Sequence, residues 1–455
     1  MTPPPDSRAL PPPVERYRAR TPRCLEALER ARRFQPLGVS SNLRAWPPHP
    51  IVFDRAQGCR VWDLDGNEYI DYGLAQGTLM AGHANPVVLE AVRRQMERGT
   101  VFAAPHAAEA ELAELLLKRY PFFDQLRFTT TGSEAVLHAV RLARAATGRR
   151  KILKVEGTYH GNYDAVLASY TPPVLKAGHA RRPVPVPMSQ GLTPGALEDT
   201  RVFPFDDPEA LESILAEHRN QVAAVLFEPV MLNLACLVAS DGYFQKVRKM
   251  CDEHGALLIF DEVKTGAKVA YGGAPELYGV QPDIVCVSKS IGGGFPLGAF
   301  ISRRDLMNEI AEGRSMHSGT FAGNPVSVAA GIATLRDVLP REAYTRLAAL
   351  NGRLAQGLEE SIRRRRLRAY VNHAGVCGAV VFSEKKIQNY RDWLGIRAAD
   401  WEDYWYGMLV RGVIPQSYGR DDSWTVSVAH TEKEIDAAIA AFDEAAAEIA
   451  AADRA

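Results

Sequence analysis

The chain of 455 residues has no excess of either charge, since 54 Lys plus Arg balance 54 Asp plus Glu. With no net field to recruit nucleic acid or an anionic membrane surface, a small-molecule partner is expected. The six cysteines, Cys24, Cys59, Cys236, Cys251, Cys286 and Cys377, contain no C-x-x-C pair. That spacing argues against a disulfide frame or a metal site and for reduced thiols. No apolar run is long enough to span a bilayer, and the opening MTPPPDSRALPPPVERYRAR places prolines where a secretory signal needs an apolar stretch. A cytoplasmic protein with a disordered lead over residues 1–13 is the expectation. Two nucleotide motifs are also missing. No G-x-x-x-x-G-K-[ST] occurs, and Gly292, Gly293 and Gly294 follow a lysine late in the chain without G-x-G-x-x-G spacing. P-loop enzymes and nicotinamide dehydrogenases are thereby excluded.

What the sequence does contain is a change of periodicity. Residues 14–34 read as one basic helix, and IVFDRAQGCRVWDLDGNEYIDY then alternates apolar and polar residues around Asp65-Gly66, as an antiparallel meander does. From about Pro86, helical spacing alternates with short apolar runs: LRFTTT, KILKVEG, AAVLFEP, ALLIFDE and DIVCVSK. Their Val, Ile and Leu content suits parallel strands buried on both faces. A helix over 342–366, strand-like runs GVCGAVVF and SWTVSVAH, and helices over 400–412 and 432–451 complete the chain. The expected organisation is a helix and meander over 14–85, a large α/β domain over 86–340, and a C-terminal α+β unit over 341–455. The Pro-rich, basic stretch 170–194 should be a long loop, of the kind that often forms a lid.

Ligands of open parallel sheets bind beyond the carboxyl ends of the strands, so the residues ending each run carry the information. ALLIF ends in Asp261-Glu262, and DIVCVS ends in Lys289 ahead of the glycine cluster. LRFTTT leads through Gly132 and Ser133 into a helix whose entry fits a Thr131-x-x-Glu134 capping box. A helix start of this kind can cradle phosphate. KILKVEG is followed by Tyr159, whose ring can stack on a cofactor plane, and by His160, expected beside it among the cofactor-binding residues. Each feature alone has an ordinary structural explanation: a surface lysine, a helix cap, a core tyrosine. Together, an amine that can trap an aldehyde, an acid that can pair a pyridinium and a phosphate cradle are the three attachments pyridoxal 5′-phosphate requires.

These stretches resemble the class III aminotransferases, and within them the glutamate-1-semialdehyde aminomutase branch. DLDGNEYIDY, RLARAATGRRKILKVEGTYHG, CDEHGALLIFDEV, LYGVQPDIVCVSKSIGGGFPLGAF and SGTFAGNP carry the likeness, which runs from SSNLRAW to VSVAHT. The resemblance implies the aspartate-aminotransferase-like fold (fold type I) and a homodimer with shared active sites. It implies that Lys289 bears the cofactor as a Schiff base and acts as the base, that Asp261 pairs the pyridine nitrogen, and that Val263 packs beneath the ring. By the same matching, Gly132 and Ser133 hold the phosphate, Thr320 reaches it from the partner subunit, Tyr159 covers the ring, and Glu228 and Asn233 line the site. Arg44 matches the arginine that grips a substrate carboxylate, although a surface ion pair is the plainer reading of it.

Several positions depart from the aminomutase pattern. Gln76 stands where tryptophan is typical, Lys264 to Lys268 reads KTGAK where MTGFR is usual, Asp421-Asp422 stands near an expected glutamate, and the 170–194 loop lacks the glycine-rich lid. These departures favour transfer of an amino group from an amino acid or related amine, D- and β-types included, to a 2-oxo acid. Intramolecular transfer by an aminomutase is the alternative. A non-catalytic binding relative would be expected to have lost Lys289 or Asp261, and both are present.

Overall fold

Seven short, mostly aliphatic runs form the central sheet. In chain order they are β1 (Gln125–Thr129), β2 (Lys151–Val155), β3 (Thr200–Phe203), β4 (Val222–Phe227), β5 (Leu257–Glu262), β6 (Ile284–Val287) and β7 (Gly298–Ser302). Their order across the sheet is 1-7-6-5-4-2-3. Every pairing is parallel except the two made by β7. β4 and β6 are buried along their whole length, which is why they read as unbroken apolar runs rather than alternating ones. The computed structural model describes residues 12–193 and 195–452. Two strands, β3 and β7, were not among the runs singled out from the sequence. TRVF and GAFIS are short and are interrupted by polar or small residues, so their periodicity is weak.

The N-terminal meander forms as expected, from Phe53–Gln57, Arg60–Asp63 and Glu68–Asp71. Its turn is fixed by Asp63, whose carboxylate accepts from the backbone N–H of Asp65 and Asn67 and from the Tyr69 hydroxyl. A fourth strand, Val413–Ile414, joins this sheet in parallel from the far end of the chain. Tyr370–Ala374, Cys377–Val381 and Trp424–Thr425 form a separate three-stranded sheet, so SWTVSVAH is strand only at its start. The helices Ala343–Arg365 and Glu432–Ala452 pack on one another.

The basic helix expected over 14–34 is two helices, Pro13–Arg20 and Pro22–Ala31. Pro22 has no N–H to continue the first helix and restricts Thr21, which turns out of the helical region at φ −129°. The new start is capped by Asp65, whose two oxygens accept from the N–H groups of Arg23 and Cys24. Of the lead 1–13, residues 1–11 lie outside the described residues, and Pro13 opens the first helix. The 170–194 stretch is largely irregular as expected, with a small hairpin pairing Gly178–His179 and Arg182–Pro183; Pro194 lies outside the described residues. All six cysteines are free and buried, and no helix among the described residues is long and apolar enough to cross a membrane.

Candidate active site

A cleft of about 490 Å³ opens beyond the carboxyl ends of β1, β2, β4, β5 and β6. Its lining includes Lys289, Asp261, Gly132, Ser133, Tyr159 and Glu228, each the product of a strand end or the turn just after it. Val263, Asn233, Arg44 and Gln76 line it as well.

Lys289 directly follows Ser288 at the exit of β6, with φ at +49°, a backbone conformation that is strained for any residue but glycine. Its ammonium has no hydrogen-bond partner among the described residues. Burial, and then the charge of neighbouring Lys264, push its pKa down to about 8. An amine so tuned is uncharged in a useful fraction near neutral pH. Asp261 is oriented from two sides: its Oδ1 accepts from the Val263 N–H at 3.0 Å, and its Oδ2 lies 2.7 Å from His160 Nδ1. His160 stands behind Asp261 rather than on the cleft, and its Nε2 is buried with no partner among the described residues.

The helix Gly132–Thr147 begins at the cleft. The capping box expected from the sequence is present: Thr131 Oγ1 accepts from the Glu134 N–H, and the Glu134 carboxylate accepts from the N–H groups of Thr130 and Thr131. Glu134 N–H is thus satisfied, while the N–H groups of Gly132 and Ser133 remain without acceptors among the described residues, as an anion site requires. Glycine at 132 has a steric reason, because a Cβ there would lie 2.6 Å from Val263 Cγ1. The helix start could not approach β5 so closely with any larger residue.

Glu228 follows β4. Its Oε1 accepts the Tyr159 N–H at 2.7 Å and its Oε2 accepts from Asn233 Nδ2 at 2.9 Å, while burial pushes its carboxyl above the ordinary range. The Tyr159 ring lies 5.3 Å from that of Tyr170. Arg44 sits exposed on a turn, Asn42–Arg44, and makes no ion pair among the described residues. The surface ion pair that competed for it in the sequence is absent there. Gln76 occupies a left-handed turn, Leu74–Gly77, with φ between +44° and +73° at all four residues. Asp71 holds this turn by accepting from the N–H groups of Gly73 and Leu74, and Lys268 donates to the Gly77 carbonyl. Thr320 is exposed and does not line the cleft of its own chain. Ser288, Thr130 and Phe295 also line the cleft and were not foreseen. Their only sequence signal was adjacency to Lys289, the capping box and the glycine cluster.

A family model described as aminotransferase class-III matches residues 43–445. Among curated relatives, the glutamate-1-semialdehyde 2,1-aminomutase of Methanothrix thermoacetophila is 40% identical over 417 residues, covering 91% of this chain and 94% of the relative. Among solved structures, an omega-transaminase from Sphaerobacter thermophilus superposes with a TM-score of 0.90 at 34% identity, covering 95% of this chain and 99% of that one. A glutamate-1-semialdehyde aminomutase from Pseudomonas aeruginosa in complex with PMP gives a TM-score of 0.86 at 25% identity, covering 96% and 97%. The mixed sheet and its two flanking smaller sheets therefore have the architecture of solved fold type I transaminases.

Proposed function

Because this chain belongs to the class III aminotransferases, we propose that it uses pyridoxal 5′-phosphate to move an amino group, and that the move is the intramolecular one that turns glutamate-1-semialdehyde into 5-aminolevulinate. The observation that carries the chemistry is the convergence in one cleft of an unpartnered Lys289 ammonium with a pKa near 8, the Asp261 carboxylate, and two free N–H groups at a helix start. Those residues fit the cofactor. The N–H groups of Gly132 and Ser133 suit its phosphate, and the Val263 side chain, packed against Gly132 and lining the cleft, suits the apolar face of its ring. The buried, partnerless Nε2 of His160 marks a polar site built around Asp261 rather than an ordinary core.

Pyridoxal phosphate, when bound, supplies an aldehyde that captures amines and a ring that accepts the electron pair left by an adjacent C–H bond. Lys289 Nζ takes up the proton of that C–H bond and returns it, a task suited to an amine whose charge burial has weakened. Asp261 would pair the ring nitrogen and favour its protonated form, since a carboxylate nearby favours the charged pyridinium. His160 holds the carboxylate that does this. Arg44 receives the substrate carboxylate with its free guanidinium. Tyr159, which lines the same cleft, would cover the ring. A second copy of the chain would complete the site, with the partner's Thr320 holding the phosphate.

The curated relatives named as aminomutases support the intramolecular reaction over the intermolecular transfer to which the departures in the sequence point. Intermolecular transfer stays as the second reading because of one feature of the cleft. Gln76 and the charged Lys264 stand at its substrate end where the aminomutase pattern has tryptophan and methionine, and an omega-transaminase is among the well-superposed structures. Glutamate-1-semialdehyde given alone to the cofactor-loaded protein should yield 5-aminolevulinate. No product from it, together with turnover of an amino acid and 2-oxoglutarate or pyruvate, would establish the second reading instead.

A further inference from the structure

Lys264, one residue past Val263, lines the cleft, yet it has nothing left to offer a substrate. Its ammonium donates to the Leu232 carbonyl at 2.8 Å, to Asn233 Oδ1 at 2.9 Å and to the Asp422 carboxylate, which uses all three of its N–H bonds. Burial disfavours its charge, and the Asp422 carboxylate more than restores it, leaving the pKa above the ordinary lysine value. A buried ion pair of this kind is a poor device for stability, because desolvation consumes much of the attraction. The hydrogen bonds continue towards the reacting centre. Asn233 Nδ2 donates to Glu228 Oε2, and Glu228 Oε1 accepts the backbone N–H of Tyr159. From the other side, Asp421 accepts from the Tyr170 hydroxyl at 2.7 Å, and the Tyr170 ring lies against that of Tyr159. Tyr159 is therefore held at its backbone and at its ring, and both lines lead back to Asp421-Asp422.

We propose that Lys264 is a positioning residue, which through Asn233 and Glu228 sets where the Tyr159 ring stands over the cofactor and through Asp422 ties that setting to the C-terminal part of the chain. The proposal rests on the cofactor reading above. The test is a double-mutant cycle on the cofactor-loaded protein with Lys264→Met and Asp422→Asn, reading kcat, KM and the induced circular dichroism of the visible cofactor band, which reports the ring's surroundings.

Lys264→Met should lower kcat by about tenfold or more while KM changes less than about threefold, and should alter the induced signal. Asp422→Asn should act in the same direction, and the double variant should be no worse than Lys264→Met alone. Asn233→Ala leaves the ion pair in place and breaks the next link, so it should reproduce the loss even if Lys264→Met folds poorly. Unchanged kcat and band in Asn233→Ala, or a double variant losing the product of the two single losses, would overturn the relay while leaving the cofactor reading intact. A wild-type protein with no visible band after incubation with pyridoxal phosphate would remove both.

Discussion

The two ends of the cleft are built differently. At the cofactor end, Asp261, Lys289, Glu228, Tyr159 and Gly132 each stand within a few residues of a strand terminus, on a sheet whose central strands β4 and β6 are buried along their whole length. Their positions follow from local chain direction and from the rigidity of the sheet. On the rest of the cleft wall, Arg44 and Gln76 come from segments far from the sheet strands in the chain, both on short turns, and one of those turns is left-handed at Leu74, Ala75 and Gln76. Each such residue costs about 1–2 kcal/mol of backbone strain, which only surrounding contacts can hold in place. The chemistry common to a family can reside in the first kind of construction, while substrate preference is free to vary in the second.

Removing a group from the cofactor end should abolish the reaction, whatever the substrate. Lys289→Ala is expected to lose multiple turnover entirely, a fall of at least about 10³-fold on the scale of lost catalytic nucleophiles and bases, together with the borohydride-sensitive visible band. Normal multiple turnover in that variant would dissolve the distinction between the ends. A smaller and different effect is expected at the other end. Arg44→Ala should raise KM by about 10- to 100-fold, the worth of a charge-assisted hydrogen bond of about 1.5–3 kcal/mol, and leave the visible band unchanged. A fall in kcat with constant KM would mean that Arg44 serves the transition state and not the carboxylate.

The cofactor end also has a pH signature. The amine that captures the aldehyde must be neutral, and Lys289 is pushed down to about 8 in the cofactor-free protein. The rate at which pyridoxal phosphate attaches should therefore rise about tenfold per pH unit below 8 and level off above it, as followed by absorbance after mixing. The same depression has a sign for stability. Between about 8 and the ordinary lysine value the unfolded chain binds more protons at this position, so its contribution to stability rises with pH across that window. A profile that keeps climbing beyond pH 9 would place the lysine in a less buried setting. The smallest effect belongs to the strained turn. Ala75→Gly, at φ +53° on an exposed residue, should stabilise the protein by about 1 kcal/mol, visible as a higher urea midpoint. No gain would show the left-handed turn to be free of strain.

Much of the cofactor end was legible beforehand because strand termini, the Thr131 to Glu134 capping box and the glycine cluster are local signals. Even there, His160 was placed with the cofactor residues, and its position behind Asp261 depends on the pairing of β4 with β2 and β5. The break at Pro22 inside an expected helix was a local signal passed over. β3 and β7 were weak in periodicity because their burial depends on neighbours. The departures at Gln76, Lys264 and Asp422 were visible as letters without geometry. That Lys264 and Asp422 form an ion pair across 158 residues, which with Leu232 and Asn233 uses all the lysine's donors, has no counterpart in any spacing.

The sequence by itself determined the α/β centre, the family, and the lysine, aspartate and helix start that face one crevice, because periodicity and strand-end chemistry act over a few residues. Only the tertiary structure decided which polar groups are spent on one another and which remain free. Satisfaction of a hydrogen bond depends on partners that meet in space, and that is what tells apart Arg44, exposed and without an ion pair among the described residues, from Lys264, buried with its donors used, on one cleft.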